Sequence, residues 1–319
     1  MSVLALPSAG LAWLGRQGTR AIAALVVVGI ALPPVGAALT PFVTEAVFLL
    51  LCTAFLRVDP AALRGYLDRP ALVIAATAWT TVAIPLLFAA GGILCGADAA
   101  SPDLFLGLIL HGAASPMMAA PAFAALMGLD ATLVLATLVA STALTPLTAS
   151  LFVYLFAGGA LVLSPLELGL KLFLMLAGSA LAAAVLRRVM GIAAVQRFRH
   201  EIDGINILLL FVFVAAVMGN VAGSFVAAPL PVLALTLLAF AVFFAILGAT
   251  LLLFARAGKQ RAFALGFMTA QRNMGLMLAA TGGAVPELTW LYFALSQFPI
   301  YLSPQMLQPL VRRLRAPAG

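Results

Sequence analysis

The sequence predicts an all-α integral membrane protein with ten transmembrane helices in a five-plus-five inverted repeat, the fourth and ninth being interrupted. Three observations carry this expectation. Of 319 residues, 65% are hydrophobic and 8% are charged, whereas ordinary soluble domains carry about 25% charged residues. The basic residues gather on alternate connections. Two apolar stretches at matching places hold helix-breaking or polar residues near their centres. The composition excludes a soluble globule, which would lack polar side chains to cover its surface, and excludes disorder, which needs low hydrophobicity.

A helix needs about 20 mostly apolar residues to cross the hydrocarbon layer. Ten such stretches are expected, at roughly 17–36, 40–56, 71–91, 103–127, 130–157, 165–189, 204–224, 229–254, 262–283 and 287–305. The first twenty residues have no basic residue before Arg16. A secretory signal would place its charge ahead of the apolar core, so this segment reads as the lead-in to the first span. With ten spans both termini share one side. Fifteen of the 17 basic residues fall there: Arg16, Arg20, Arg57, Arg64, Arg69, Arg187, Arg188, Arg197, Arg199, Arg256, Lys259, Arg261, Arg312, Arg313 and Arg315. The opposite connections hold Asp98, Asp103 and Glu287 but no basic residue. By the positive-inside rule both termini are cytoplasmic in a bacterial-type inner (plasma) membrane. The net charge of +7 therefore points to anionic lipid rather than nucleic acid. Residues 57–70 read either as a short interfacial helix or as a charged loop.

Five spans per half make the second half enter from the opposite side, which is inverted-repeat geometry. The fourth span reads LILHGAASPMMAAPAF (108–123), with small residues at 112–115 and prolines at 116 and 121. Proline lacks a backbone donor and clashes with the preceding turn. The ninth reads FMTAQRNMGLMLAATGG (267–283), with Gln271, Arg272 and Asn273 in succession. Unpaired backbone at membrane depth survives only inside protein or beside a wet cavity, and two such breaks at corresponding positions point to a midplane transport site. Arg272 lies about ten residues from either end of its span. An arginine there costs at least about 2.5–3.5 kcal/mol on insertion scales, which points to a functional or tightly paired role.

These residues resemble the bile acid:sodium symporter family. The resemblance runs through VDPAALRGYLDRPALV (58–73), GAAS (112–115), GLD (128–130), ASTALTPL (140–147) and RNMGL (272–276). It implies one transporter unit over 1–319, with a panel domain at about 17–56 and 165–224 and a core domain at about 71–157 and 229–305. The broken helices would cross inside the core, and the activity would be secondary transport of an organic anion by alternating access. The family's sodium sites use side-chain oxygens near both crossings. Ser115 and Thr142 match such positions, and Asn273 matches the second residue of an amide pair. Pro116 stands where the family has an amide, Met268 where it has an acidic residue, and Arg272 where it has the first amide.

A carboxylate replaced by a thioether, with a guanidinium added nearby, disfavours a sodium ion. The expectation is a carrier that does not use the family's sodium sites, with Arg272 pairing directly and bidentately with the substrate anion. Arg272, Asn273, Gln271, Ser115, Thr142, His111, Thr269 and Gln297 are the candidate substrate-binding residues. No cofactor or resident metal is expected. Ser115, Thr142 and Asn273 are the weak sodium-site candidates, and the coupling ion is a proton or sodium. Expected partners are a small organic anion and membrane lipid; nothing in the sequence sets the oligomeric state. The alternatives are a sodium-coupled, bile-acid-like symporter, or, in another class, an anion channel or a membrane ligand sensor. An enzyme is not expected: a zinc protease needs a close histidine pair, and His111 and His200 are far apart. His111 reads as a proton relay or as a structural histidine, and Asp130 as an N-cap. Tyr301 is a further candidate for the cavity lining. Trp290 and Tyr292 suit an outer aromatic belt.

Overall fold

The structure is a computed structural model and describes residues 5–17, 24, 27, 28, 31–58 and 70–315. Arg20, Arg64 and Arg69, half of the first expected span, and all but the ends of the 57–70 link lie outside the described residues. The described chain is helical and has no β-strand. In hydrocarbon only a helix or a closed barrel satisfies every backbone donor and acceptor. The exterior is correspondingly apolar: Leu147, Val162, Leu166 and Val226 are all exposed.

Twelve helices organise the description. They are α1 (Ala5–Gln17), α2 (Pro33–Arg57), α3 (Pro70–Leu94), α4 (Pro102–Ala113), α5 (Ala120–Met127) and α6 (Ala131–Phe156), followed by α7 (Pro165–Met190), α8 (Arg199–Ala227), α9 (Pro229–Leu253), α10 (Lys259–Ala270), α11 (Met274–Ala280) and α12 (Glu287–Arg315). Among the described residues six are long and apolar enough to cross a membrane: α2, α3, α6, α7, α8 and α9. Proline opens α2, α3, α4, α7 and α9, where the missing N–H is one the first turn leaves unpaired anyway. Asp130 caps α6 by accepting from the Leu133 N–H at 3.0 Å, as the sequence predicts.

Packing sorts the helices into neighbours. α1 and α2 pack on α8, and α7 packs on α2. α3 packs on α4 and α6, while α9 packs on α10 and α12. The approach of α1 to α8 depends on Gly204, where a Cβ would collide with the Leu11 carbonyl. That contact brings Arg16 close to the start of α8.

Candidate functional site

The fourth and ninth expected spans are both broken, and the breaks touch. α4 ends at Ala113, α5 begins at Ala120, α10 ends at Ala270 and α11 begins at Met274. Between them the two chains form one antiparallel bridge, Pro116 opposite Arg272. The Met117 N–H donates to the Gln271 carbonyl at 2.7 Å, and the Asn273 N–H donates to the Ser115 carbonyl at 2.8 Å. Both bonds come from the flanking residues, so Pro116 occupies a bridge position that asks for no N–H. The unwound segments thus satisfy each other inside the protein.

Arg272 is 1% exposed. Its Nη1 donates to the Ala114 carbonyl at 2.7 Å and the Thr80 carbonyl at 3.3 Å, and Nη2 donates to Thr80 at 3.2 Å. Nε is buried without a partner. Among the described residues no aspartate or glutamate is buried, so no acid neutralises this guanidinium. Its acceptors have a local cause. Ala114 follows the last turn of α4, where carbonyls lack helical donors. Thr80 lies in a π-helical segment, Trp79–Ala83, in which the Ile84 N–H goes to the Trp79 carbonyl. The next donor in that register would be residue 85, which is proline. The Thr80 carbonyl is left without a backbone partner, and the guanidinium takes it.

Gln271 repeats the device. Its Nε2 donates to the Ile300 carbonyl at 3.2 Å and to Ser303 Oγ at 2.9 Å. Pro304 follows four residues after Ile300 in α12, so that carbonyl has no helical donor either. Asn273 caps α11, its Oδ1 accepting from the Leu276 N–H at 3.0 Å.

A cavity of about 720 Å³ reaches from the crossing to the basic ends of α1, α2 and α8. Arg272, Asn273, Gln297 and Tyr301 line it together, and its walls include Met117, Leu51 and Phe213. On the other side of the crossing α11 packs against α2 and α7. There the Trp290 indole N–H donates to the Val217 carbonyl at 3.3 Å.

The remaining candidates are placed elsewhere. Thr269 Oγ1 lies 3.4 Å from Thr80 Oγ1, bracing α10 against the π-helical segment. His111 Nδ1 is 2.9 Å from the Tyr292 hydroxyl, with the Phe88 ring beside it. Tyr292 is fully buried, which corrects its assignment to an outer belt. Its helical phase turns the ring toward α4, not lipid. The hydroxyls of Ser115 and Thr142 are buried without partners, as are those of Thr137 and Ser141. Thr80, Pro85, Ile300 and Ser303 escaped the sequence reading. The prolines at 85 and 304, each inside an apolar span, were the available signal.

The Sodium Bile acid symporter family matches residues 44–228. The search of curated proteins returned no match. The matched segment contains the first break and Thr80, while Arg272 lies beyond it. Members of this family are transporters, and the apolar spans fit a multi-pass membrane protein. With more than half of its length matched, the chain belongs to the Sodium Bile acid symporter family.

Proposed function

We propose that the protein is a secondary carrier of a small organic anion, working by alternating access without the family's sodium sites. In this reading the chain crosses the membrane ten times as two inverted halves, with both termini cytoplasmic. The panel is residues 17–56 and 165–224, and the core is residues 71–157 and 229–305. The core holds the crossing and moves against the panel.

One observation carries the reading: a guanidinium without an acid partner sits at the crossing, bound to the Ala114 and Thr80 carbonyls. Carbonyls left without backbone donors are ligands of the kind a hard cation would seek. Here the chain supplies the cation itself. Because both terminal nitrogens are engaged, Arg272 acts on the anion through its field rather than through the bidentate contact expected from sequence. Between unit charges about 8 Å apart, at an effective dielectric of about 20, that is about 2 kcal/mol. The Asn273 amide, with Oδ1 committed to the cap, offers its N–H groups to the anion. Gln297 commits its Nε2 to the Phe293 carbonyl at 3.1 Å, leaving its carbonyl oxygen for the cavity.

A sodium-coupled symporter is the second reading. The buried unpartnered hydroxyls of Ser115 and Thr142 favour it, since such oxygens are ligands in want of a donor or a cation.

The carrier reading is tested by screening carboxylates and sulfonates for thermal stabilisation of the purified protein, then measuring counterflow of the best ligand in proteoliposomes. Native-state binding raises apparent stability. Saturable counterflow is the expected result. Stabilisation without any flux would instead support a sensor, and conductance at channel rates would support a pore.

A further inference from the structure

A second cavity of about 630 Å³ lies beside the first, and the two share Arg57, Val58, Ala122, Arg199 and Asp203 as lining. Arg16 lines the first alone and Arg187 the second alone. Four arginines therefore face one aspartate at this end, and His200 lines the first cavity beside them, with Arg272 and Tyr301 the other titratable side chains on its wall. Three pieces of this cluster are committed. Arg57 pairs with Asp203 at 2.7 Å. Arg187 Nη2 donates to the carbonyls of Phe55, Leu56 and Val58 at 2.8, 2.7 and 2.8 Å, holding the end of α2.

Arg16 and Arg199 are left, and of the two only Arg199 lines both cavities. It lies one helical turn before Asp203 on α8, the spacing of an i,i+4 pair. Yet Asp203 is taken by Arg57, and Arg199 makes no ion pair among the described residues. The positive-inside rule would explain an arginine here without any site. It explains Arg188, Arg197, Arg256, Arg312 and Arg313, none of which lines either cavity. Arg199 differs by standing on the wall common to both.

We propose that the inner mouth is an anion-binding vestibule centred on Arg199. It takes a carboxylate, sulfonate or phosphate group, either from a solute passing to or from the crossing or from the headgroup of an anionic lipid. The site is separate from Arg272, whose terminal nitrogens are spent on carbonyls. A bidentate contact to a planar or tetrahedral anion is what a free guanidinium supplies.

The test needs no knowledge of the transported anion. Cys52→Ser and Cys95→Ser remove the native thiols, and Ala122→Cys places a reporter on the shared wall. The protein is held in phosphatidylcholine nanodiscs. Labelling rates are compared for anionic sulfonatoethyl and cationic trimethylammonioethyl methanethiosulfonate. At low salt the anionic reagent gains relative to the cationic one. Arg199→Gln reduces that ratio by about fivefold or more, Arg199→Lys retains it, and salt erases it. An unchanged ratio in Arg199→Gln would overturn the proposal.

Two further arms identify the occupant. Loss of the anionic advantage in phosphatidylglycerol nanodiscs assigns a lipid headgroup. Its persistence there, with competition by benzoate, assigns a solute. An advantage that neither reduces would overturn the vestibule as a binding site. None of these outcomes depends on transport, so the vestibule and the carrier reading can fail separately.

Discussion

The two breaks that meet at the crossing are built differently. The first spans residues 114–119 and is made by removal: Pro116 has no N–H, and no charged side chain lies in it. The second spans only 271–273 and is made by addition, each residue bringing a polar side chain. Gln271 donates to the Ile300 carbonyl and the Ser303 hydroxyl on α12, Arg272 to the carbonyls of Thr80 on α3 and of Ala114 in the first break, while Asn273 restarts its own helix. The first break supplies an acceptor, Ala114, and a receptive backbone edge. The second supplies the donors and the charge. Prolines elsewhere, at 85 and 304, complete the exchange by freeing the carbonyls that the second break satisfies. A breakage at membrane depth is thus tolerable because the orphaned groups of several helices converge.

This asymmetry orders the consequences of mutation. The largest effect is expected for Arg272→Gln, which removes the charge and leaves buried carbonyls short of donors. Loss of its field at the anion, about 2 kcal/mol, should lower counterflow by about thirtyfold, and loss of its charged hydrogen bonds should lower stability by about 1.5–3 kcal/mol. Arg272→Lys, with one compact ammonium for two separated carbonyls, should recover only part of it. A variant with normal flux would break the comparison by making the second break as passive as the first.

Gln271→Leu comes next. It deletes the bonds to Ile300 and Ser303 but also an unpartnered buried Oε1, so the net cost is about 1–2 kcal/mol, read as a lower unfolding temperature. Asn273→Ala loses the cap of α11, at about 1 kcal/mol, and weakens ligand binding as well. A drop in stability without any drop in binding would restrict Asn273 to capping. The smallest effect is expected for Pro116→Ala, because the bridge uses no N–H at that position. A shift within about 0.5 kcal/mol, measured by thermal unfolding, fits a break held open by its partner. A loss as large as that of Gln271→Leu would mean that the proline itself holds it.

The breaks were legible because each violates a strong local rule. Prolines and a run of three polar residues do not belong in the middle of an apolar span. What they contact was not legible, since every acceptor of Arg272 and Gln271 but one is a main-chain carbonyl, and a carbonyl carries no residue signature. Ser115 and Thr142 enter through the family resemblance, and His111 and Thr269 through polarity near the breaks. His111 and Thr269 prove to be spent on Tyr292 and Thr80. Tyr292 lies inside the protein rather than at an outer belt, because nearness to a helix end says nothing of helical phase. The cavity draws on α1, α2, α5, α6, α8, α11 and α12, a convergence that only the packing reveals.

The central claim is that a resident guanidinium fills the place of a mobile cation. The most direct measurement is the Kd of the stabilising anion, identified by the thermal screen, in sodium chloride and in choline chloride at equal ionic strength. The account predicts values equal within about twofold. Binding about tenfold or more tighter in sodium would contradict it and return the Ser115 and Thr142 hydroxyls to the role of ion ligands.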